Sequence, residues 1–99
     1  MLKHMIIWNL KTDLSVDEKE TAKQKIKDEL EALIDISDDV LEIKVIINTL
    51  DTSTGDIMLD SSFKDKKALN FYASHPKHLE AAAFIKSVVD SRHCIDYII

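Results

Sequence analysis

Leu2, His4, Ile6, Trp8 and Leu10 alternate with Lys3, Met5, Ile7, Asn9 and Lys11. A repeat of two is the side-chain period of a β-strand, so the opening stretch predicts a strand, β1, of about nine residues. Ser15 follows, with Glu18 three positions on. In that pairing the serine hydroxyl takes an amide proton of the first turn and the glutamate reaches back, so a helix, α1, starts at Ser15. Ala22, Ile26, Leu30 and Leu33 then recur at steps of three and four, opposite Lys19, Lys23, Lys27 and Glu31. One stripe of α1 is to be buried and the other solvated.

Ile34 to Asp39, with Ser37, Asp38 and Asp39, has the chemistry of a connection. Val40 to Leu50 reads as β2, with Leu41, Ile43, Val45 and Ile47 on one face and Glu42, Lys44, Ile46 and Asn48 on the other. Asp51 to Asp56 holds Gly55 in a polar cluster and predicts a hairpin loop. β3 runs from Ile57 to Phe63, with Ile57, Leu59 and Phe63 opposed to Met58, Asp60 and Ser62. Lys64 to Ser74 carries Ala68, Leu69, Phe71 and Tyr72 at helical spacing, giving α2 with Asp65 as its cap. A third helix, α3, opens at Pro76 and runs to about Asp90, with Leu79, Ala82, Ala83, Val88 and Val89 able to pack. Arg92 to Ile99 alternates again as β4, with His93, Ile95, Tyr97 and Ile99 on one face and Arg92, Cys94, Asp96 and Ile98 on the other.

The order strand, helix, strand, strand, two helices, strand over residues 1–99 predicts a single α+β domain of ferredoxin-like type, a four-stranded antiparallel sheet with its helices on one face. Leu2, Ile6, Trp8, Leu41, Ile43, Val45, Ile47, Leu59, Phe63, Ile95 and Tyr97 make the more apolar face, which is expected to meet the helices. The second face still carries Met5, Ile7, Ile46, Met58, Cys94 and Ile98, more than a solvated sheet face holds. Burying six such side chains offers on the order of 10 kcal/mol gross, before the entropy of association. A homodimer with the two sheets face to face is the simplest cover.

Composition narrows the partners. Thirteen Lys and Arg against 18 Asp and Glu give a net charge of −5, and the bases are scattered among acids, so no nucleic-acid footprint is present. No apolar run approaches a membrane span, and Cys94 is alone. A reducing, cytoplasmic setting is the expectation, with no membrane partner.

Candidate chemistry is concentrated in Asn70 to His78, where a phenol and two imidazoles flank Pro76. A tyrosine and a histidine can each give or take a proton, and proline fixes the backbone between them. Tyr72 and His78 are therefore the candidate catalytic pair, His78 as a neutral base beside a carbonyl and Tyr72 as donor to the developing oxyanion. The expected pocket, between sheet and helices, is lined by His4, Ile6, Trp8, Leu59 and His75. Each residue also has a plainer reading: His-Pro is an ordinary helix boundary, Trp8 a core residue, His4 a core histidine bonded to a helix end. His75 and His78 have helical spacing, but no cysteine or carboxylate joins them at a zinc interval, so neither metal nor cofactor is expected.

Lys3-His4-Met5-Ile6-Ile7-Trp8, Phe63, the segment Phe71-Tyr72-Ala73-Ser74-His75-Pro76-Lys77-His78 and Asp96-Tyr97 together resemble the stress-responsive α/β-barrel family, also called dimeric α/β-barrel domains, over essentially the whole chain. The resemblance implies a ferredoxin-like subunit whose sheet pairs with a second copy to form a shared barrel. One characterised plant member is a cofactor-independent polyketide cyclase, and its catalytic tyrosine and histidine match Tyr72 and His78, with His4 matching a pocket histidine. Ile57 stands where that enzyme has another histidine, and Ala22 and Lys23 where it has aromatic pocket residues. Three functions stay open: a dimeric binder of a small apolar metabolite, a cofactor-independent cyclase- or monooxygenase-like enzyme, and a structural, stress-protective dimer.

Overall fold

The alternation that opens the chain is realised as β1, Leu2–Leu10, in a computed structural model that describes all residues, Met1–Ile99. It is followed by α1 (Val16–Glu31), a short 3-10 helix (Ala32–Ile36), β2 (Val40–Ile46), β3 (Ile57–Phe63), α2 (Lys66–Ser74), α3 (Pro76–Val88) and β4 (Val89–Ile98). The four strands form one antiparallel sheet in the order β2-β3-β1-β4. β1 and β3 are central, which is why the strongest alternation in the chain belongs to them.

Local chemistry sets the helix ends. Ser15 and Glu18 form the reciprocal box, the Glu18 amide donating to Ser15 Oγ at 3.1 Å and the Ser15 amide to Glu18 Oε1 at 3.0 Å. Asp65 Oδ1 takes the Ala68 amide at 2.9 Å and starts α2. His75 lies in extended backbone between α2 and α3, as the residue before a proline prefers, and Pro76 occupies the first turn of α3.

The core lies between the helices and one sheet face, where Leu2, Ile6, Trp8, Leu10, Val45, Ile57, Leu59 and Phe63 meet Ala22, Ile26 and Leu30 of α1 with Tyr72, Ala81 and Ile85. The edge strand β2 is guarded by α1. Glu31 Oε2 accepts the Val45 amide at 3.0 Å, and Lys27 Nζ donates to the Val45 carbonyl at 2.8 Å. A paired backbone edge cannot template another strand there.

The structure corrects several expectations. β2 stops at Ile46, short of Leu50. A register shift between Val40 and Glu42 inserts one extra residue, so Val40 turns inward and Leu41 is left exposed. Residues 34–36 continue a 3-10 helix, and α3 passes into β4 at Val89 with no loop between them. α3 buries Ala81 and Ile85, while Leu79 is 56% exposed.

The largest correction concerns β4. Pairing with β1 sets Asp96 opposite His4, Cys94 opposite Ile6 and Ile95 opposite Met5. Arg92, Cys94, Asp96 and Ile98 thus share the helix side, and Ile95 and Tyr97, expected inside, lie on the outer face with 66% and 46% exposure. The outer face remains apolar with revised membership: Met5, Ile7, Ile46, Met58, Ile95 and Tyr97, crossed by a Lys3–Asp60 pair at 2.6 Å.

The core and the caps predict a graded stability series. Ile26, fully buried, loses about 2–5 kcal/mol as Ile26→Ala, whereas Ser15→Ala loses about 1 kcal/mol. Urea unfolding checks both, and equal losses would contradict this division between core and cap.

Candidate functional site

A cavity of about 550 Å³ lies between the inner sheet face and the helices. Ile6, Trp8 and Leu59 form its sheet wall, Leu30 comes from α1, and Tyr72 and His78 come from α2 and α3. Its volume falls in the range of small-molecule pockets, about 300–1,000 Å³.

The α2–α3 joint places the two polar rings. Tyr72 is in the last turn of α2, His78 is in the first turn of α3, and His75-Pro76 between them is fixed by the ring of Pro76. Their ring centroids are 4.5 Å apart, and Phe63, 5.0 Å from Tyr72 and 6.2 Å from His4, continues the aromatic row to β1. Tyr72 is 1% exposed. Neither its Oη nor His78 Nδ1 has a hydrogen-bond partner, although both atoms are buried.

Burial acts on the two groups in opposite directions on the pKa scale and to the same chemical end. It pushes the Tyr72 phenol well above its ordinary value, so the hydroxyl keeps its proton. It lowers His78, helped by the charges of His4, Arg92 and His75 and opposed by the Ala73 backbone, so the imidazole is neutral near pH 7. A protonated phenol beside a neutral imidazole is a donor beside a base.

His4, buried on β1, directs Nδ1 to the Asp96 carboxylate across the β1–β4 pair, while Ser61 Oγ donates to the His4 carbonyl at 2.6 Å. Cys94 Sγ is 3.8 Å from His4 Nδ1 and 3.7 Å from Asp96 Oδ1. Desolvation and the Asp96 charge raise the Cys94 pKa, which keeps it a thiol. These three side chains, with ligand atoms within 4.8 Å of one another, are the donor set that could hold a metal, and a hydrogen bond joins His4 to Asp96 within it.

Of the residues expected at the site, His4, Ile6, Trp8, Leu59, Tyr72 and His78 line one cavity. His75 does not. Its Nδ1 accepts the Lys77 amide at 3.1 Å and caps α3, and its ring packs on Phe71 with centroids 6.1 Å apart. The sequence reading missed Asp96 and Cys94 as neighbours of His4, and Lys86 and Arg92 as lining residues. Only the β1–β4 register could have found the first two.

A family model described as the Stress Responsive A/B Barrel Domain matches residues 2–99. No curated protein shows a significant match. Among solved structures, a dimeric protein of unknown function and ferredoxin-like fold from Bacteroides fragilis is 32% identical, with TM-score 0.92 over 99% of this chain and 95% of that one. An antibiotic biosynthesis monooxygenase is 11% identical, with TM-score 0.79 over 100% of this chain and 98% of that one. A hydroxynitrile lyase from Passiflora edulis is 17% identical, with TM-score 0.79 over 99% and 92%. The last two likenesses establish the ferredoxin-like fold alone.

The unpartnered pair makes two predictions. Removing a buried hydroxyl that has no partner leaves no lost bond, so Tyr72→Phe keeps or raises stability, by up to about 1–3 kcal/mol in urea unfolding. A clear loss would mean that the hydroxyl is bonded in solution. His78 titrates below its ordinary 6.5, so the unfolded chain takes up this proton first as pH falls. Its stability contribution is therefore present above that value and lost as pH drops below it. Imidazole NMR titration checks the pKa, and the acid-side loss shrinks in His78→Gln.

Proposed function

The chain belongs to the stress-responsive A/B barrel domain family, and from that premise we propose that it is a homodimer which binds an apolar small molecule in the cavity between sheet and helices. The observation that carries this reading is the cavity itself, walled by Ile6, Trp8 and Leu59 with Tyr72 and His78 among its lining residues. Tyr72 Oη and His78 Nδ1 are buried without partners at a cost of about 1–3 kcal/mol for such a group, and a ligand carbonyl or hydroxyl met by a turn of either side chain would recover it.

The dimer rests on the outer sheet face. Ile7, Ile95 and Tyr97 are 43%, 66% and 46% exposed on it, and they cluster with Met5, Ile46 and Met58. A second copy laid on this face removes the patch from water, and the Bacteroides fragilis relative is described as dimeric.

A second reading, acid–base catalysis without a cofactor, is favoured by one specific observation: a protonated Tyr72 and a neutral His78 with ring centroids 4.5 Å apart. His78 removes a proton next to a carbonyl and Tyr72 donates to the oxygen that gains charge. The monooxygenase and hydroxynitrile lyase folds are compatible with a reactive cavity here, by analogy of fold alone. In a purely structural dimer the same residues would only join two helices.

Trp8 is the single tryptophan and lines the cavity, so its emission reports occupancy. Titration with 2-decanone, a neutral apolar ketone, is expected to saturate, and Tyr72→Phe weakens it about five-fold, the worth of one hydrogen bond. No response from a folded dimer would overturn the binding reading. For catalysis, the protein speeds deuterium exchange at the carbons beside the ketone, and His78→Ala removes at least about 100-fold of that rate. Sedimentation equilibrium checks assembly: the native chain is dimeric, and Ile7→Asp combined with Ile95→Asp gives monomers. A monomeric native chain would sink the shared-barrel proposal.

A further inference from the structure

The cavity is apolar at depth and charged at its open side, where the exposed Lys86, Asp90 and Arg92 complete its lining. Lys86 comes from the last turn of α3 and Arg92 from β4, set opposite Trp8 by the strand register. The ion pairs of the chain join Lys3 to Asp60, His4 to Asp96, Lys23 to Glu20 and Lys27 to Glu31, and leave Lys86 and Arg92 without a carboxylate. A chain with 18 acidic and 13 basic side chains repels anions at long range, so two unpaired cations beside its main cavity are a local reversal of sign.

We infer that the occupant is an apolar monocarboxylic acid, its carboxylate held at the mouth by Arg92 and Lys86 and its body lying along Trp8, Ile6 and Leu59. The assignment rests on the cavity being a ligand site, as proposed above, and adds the ligand's class. Four observations converge on it. The guanidinium is a planar fork that matches a carboxylate with two parallel hydrogen bonds. Two cations against the one carboxylate of Asp90 leave a single positive charge at the mouth, which one carboxylate balances and a doubly charged phosphate exceeds. The walls between mouth and base are hydrocarbon and aromatic, suited to an alkyl or aryl body. At the α2–α3 joint the lining includes the rings of Tyr72 and His78, centroids 4.5 Å apart, against which an apolar body packs.

The test titrates Trp8 emission at low salt with three ten-carbon probes: decanoate, 2-decanone and decyl phosphate. Decanoate is expected to bind about ten-fold tighter than 2-decanone, the worth of a hydrogen-bonded charge contact. That preference is expected to shrink as salt rises from about 0.05 to 0.5 M and to collapse in the Lys86→Gln/Arg92→Gln double variant. Both substitutions are at exposed positions, and far-UV circular dichroism checks that the variant is folded. Saturable binding of 2-decanone with no preference for decanoate overturns the carboxylate assignment and leaves the cavity reading standing. A preference that survives in the double variant overturns the role of the two cations, and decyl phosphate binding more than about ten-fold tighter than decanoate overturns the charge argument. Failure of both decanoate and 2-decanone to bind overturns the inference and the ligand-site reading together.

Discussion

The site depends on one constraint: β1 pairs with two neighbours at once, in a register fixed on both sides. Towards β3, Leu2 faces Phe63, His4 faces Ser61, Ile6 faces Leu59 and Trp8 faces Ile57. Towards β4, His4 faces Asp96 and Trp8 faces Arg92. Side chains on a strand alternate with a period of two, so a slip of one residue would send His4, Ile6 and Trp8 outward and bring Met5 and Ile7 under the helices. The Ser61 hydroxyl on the His4 carbonyl and Asp96 on the His4 ring mark the one polar column in an otherwise hydrocarbon layer. That column ends below the α2–α3 joint, and the joint brings Tyr72 and His78 to the same space.

Folding and use pull in different directions there. A phenol 1% exposed with a bare Oη is something a chain selected for stability alone would replace by phenylalanine. Small proteins hold only about 5–15 kcal/mol of net stability, so a penalty of about 1–3 kcal/mol at one atom is not negligible. The neutral imidazole beside it, depressed by burial, adds a second cost of the same kind. Both groups belong to residues that line one cavity, and ordinary core packing would remove either cost.

The parts legible in the sequence were those where local chemistry and burial agree. β1 and β3 are central, with one face in the core, and their alternation is clean. The Ser15/Glu18 box and the Asp65 cap are local bonds, readable at spacings of three residues. The edge strands were harder. Leu41 was misplaced because a bulge breaks the period within β2, and the faces of β4 were exchanged because isoleucine and tyrosine on one side outweigh cysteine and isoleucine on the other by apolarity. Register against β1, not hydrophobicity, decides which side of β4 meets the helices. The same error hid Asp96 and Cys94 from His4, ninety residues or more away along the chain and adjacent only through strand pairing. Tyr72 and His78 are legible as a pair because Pro76 fixes their joint locally, and of the two roles the sequence allows His75, helix cap and pocket wall, its Nδ1 takes the first.

β4 joins the outer face to the site. It is an edge strand with almost every residue exposed. Its helix side carries Arg92 in the cavity lining and Cys94 and Asp96 beside His4, and its outer side presents Ile95 and Tyr97 beside Met5 and Ile7. β2, the other edge, has its Val45 backbone covered by Glu31 and Lys27. A second copy resting on the outer face would therefore hold the same strand that carries Arg92, and alternate residues of one backbone cannot shift independently. Packing on Ile95 and Tyr97 and charge placement at Arg92 are, in this fold, two faces of a single rigid element.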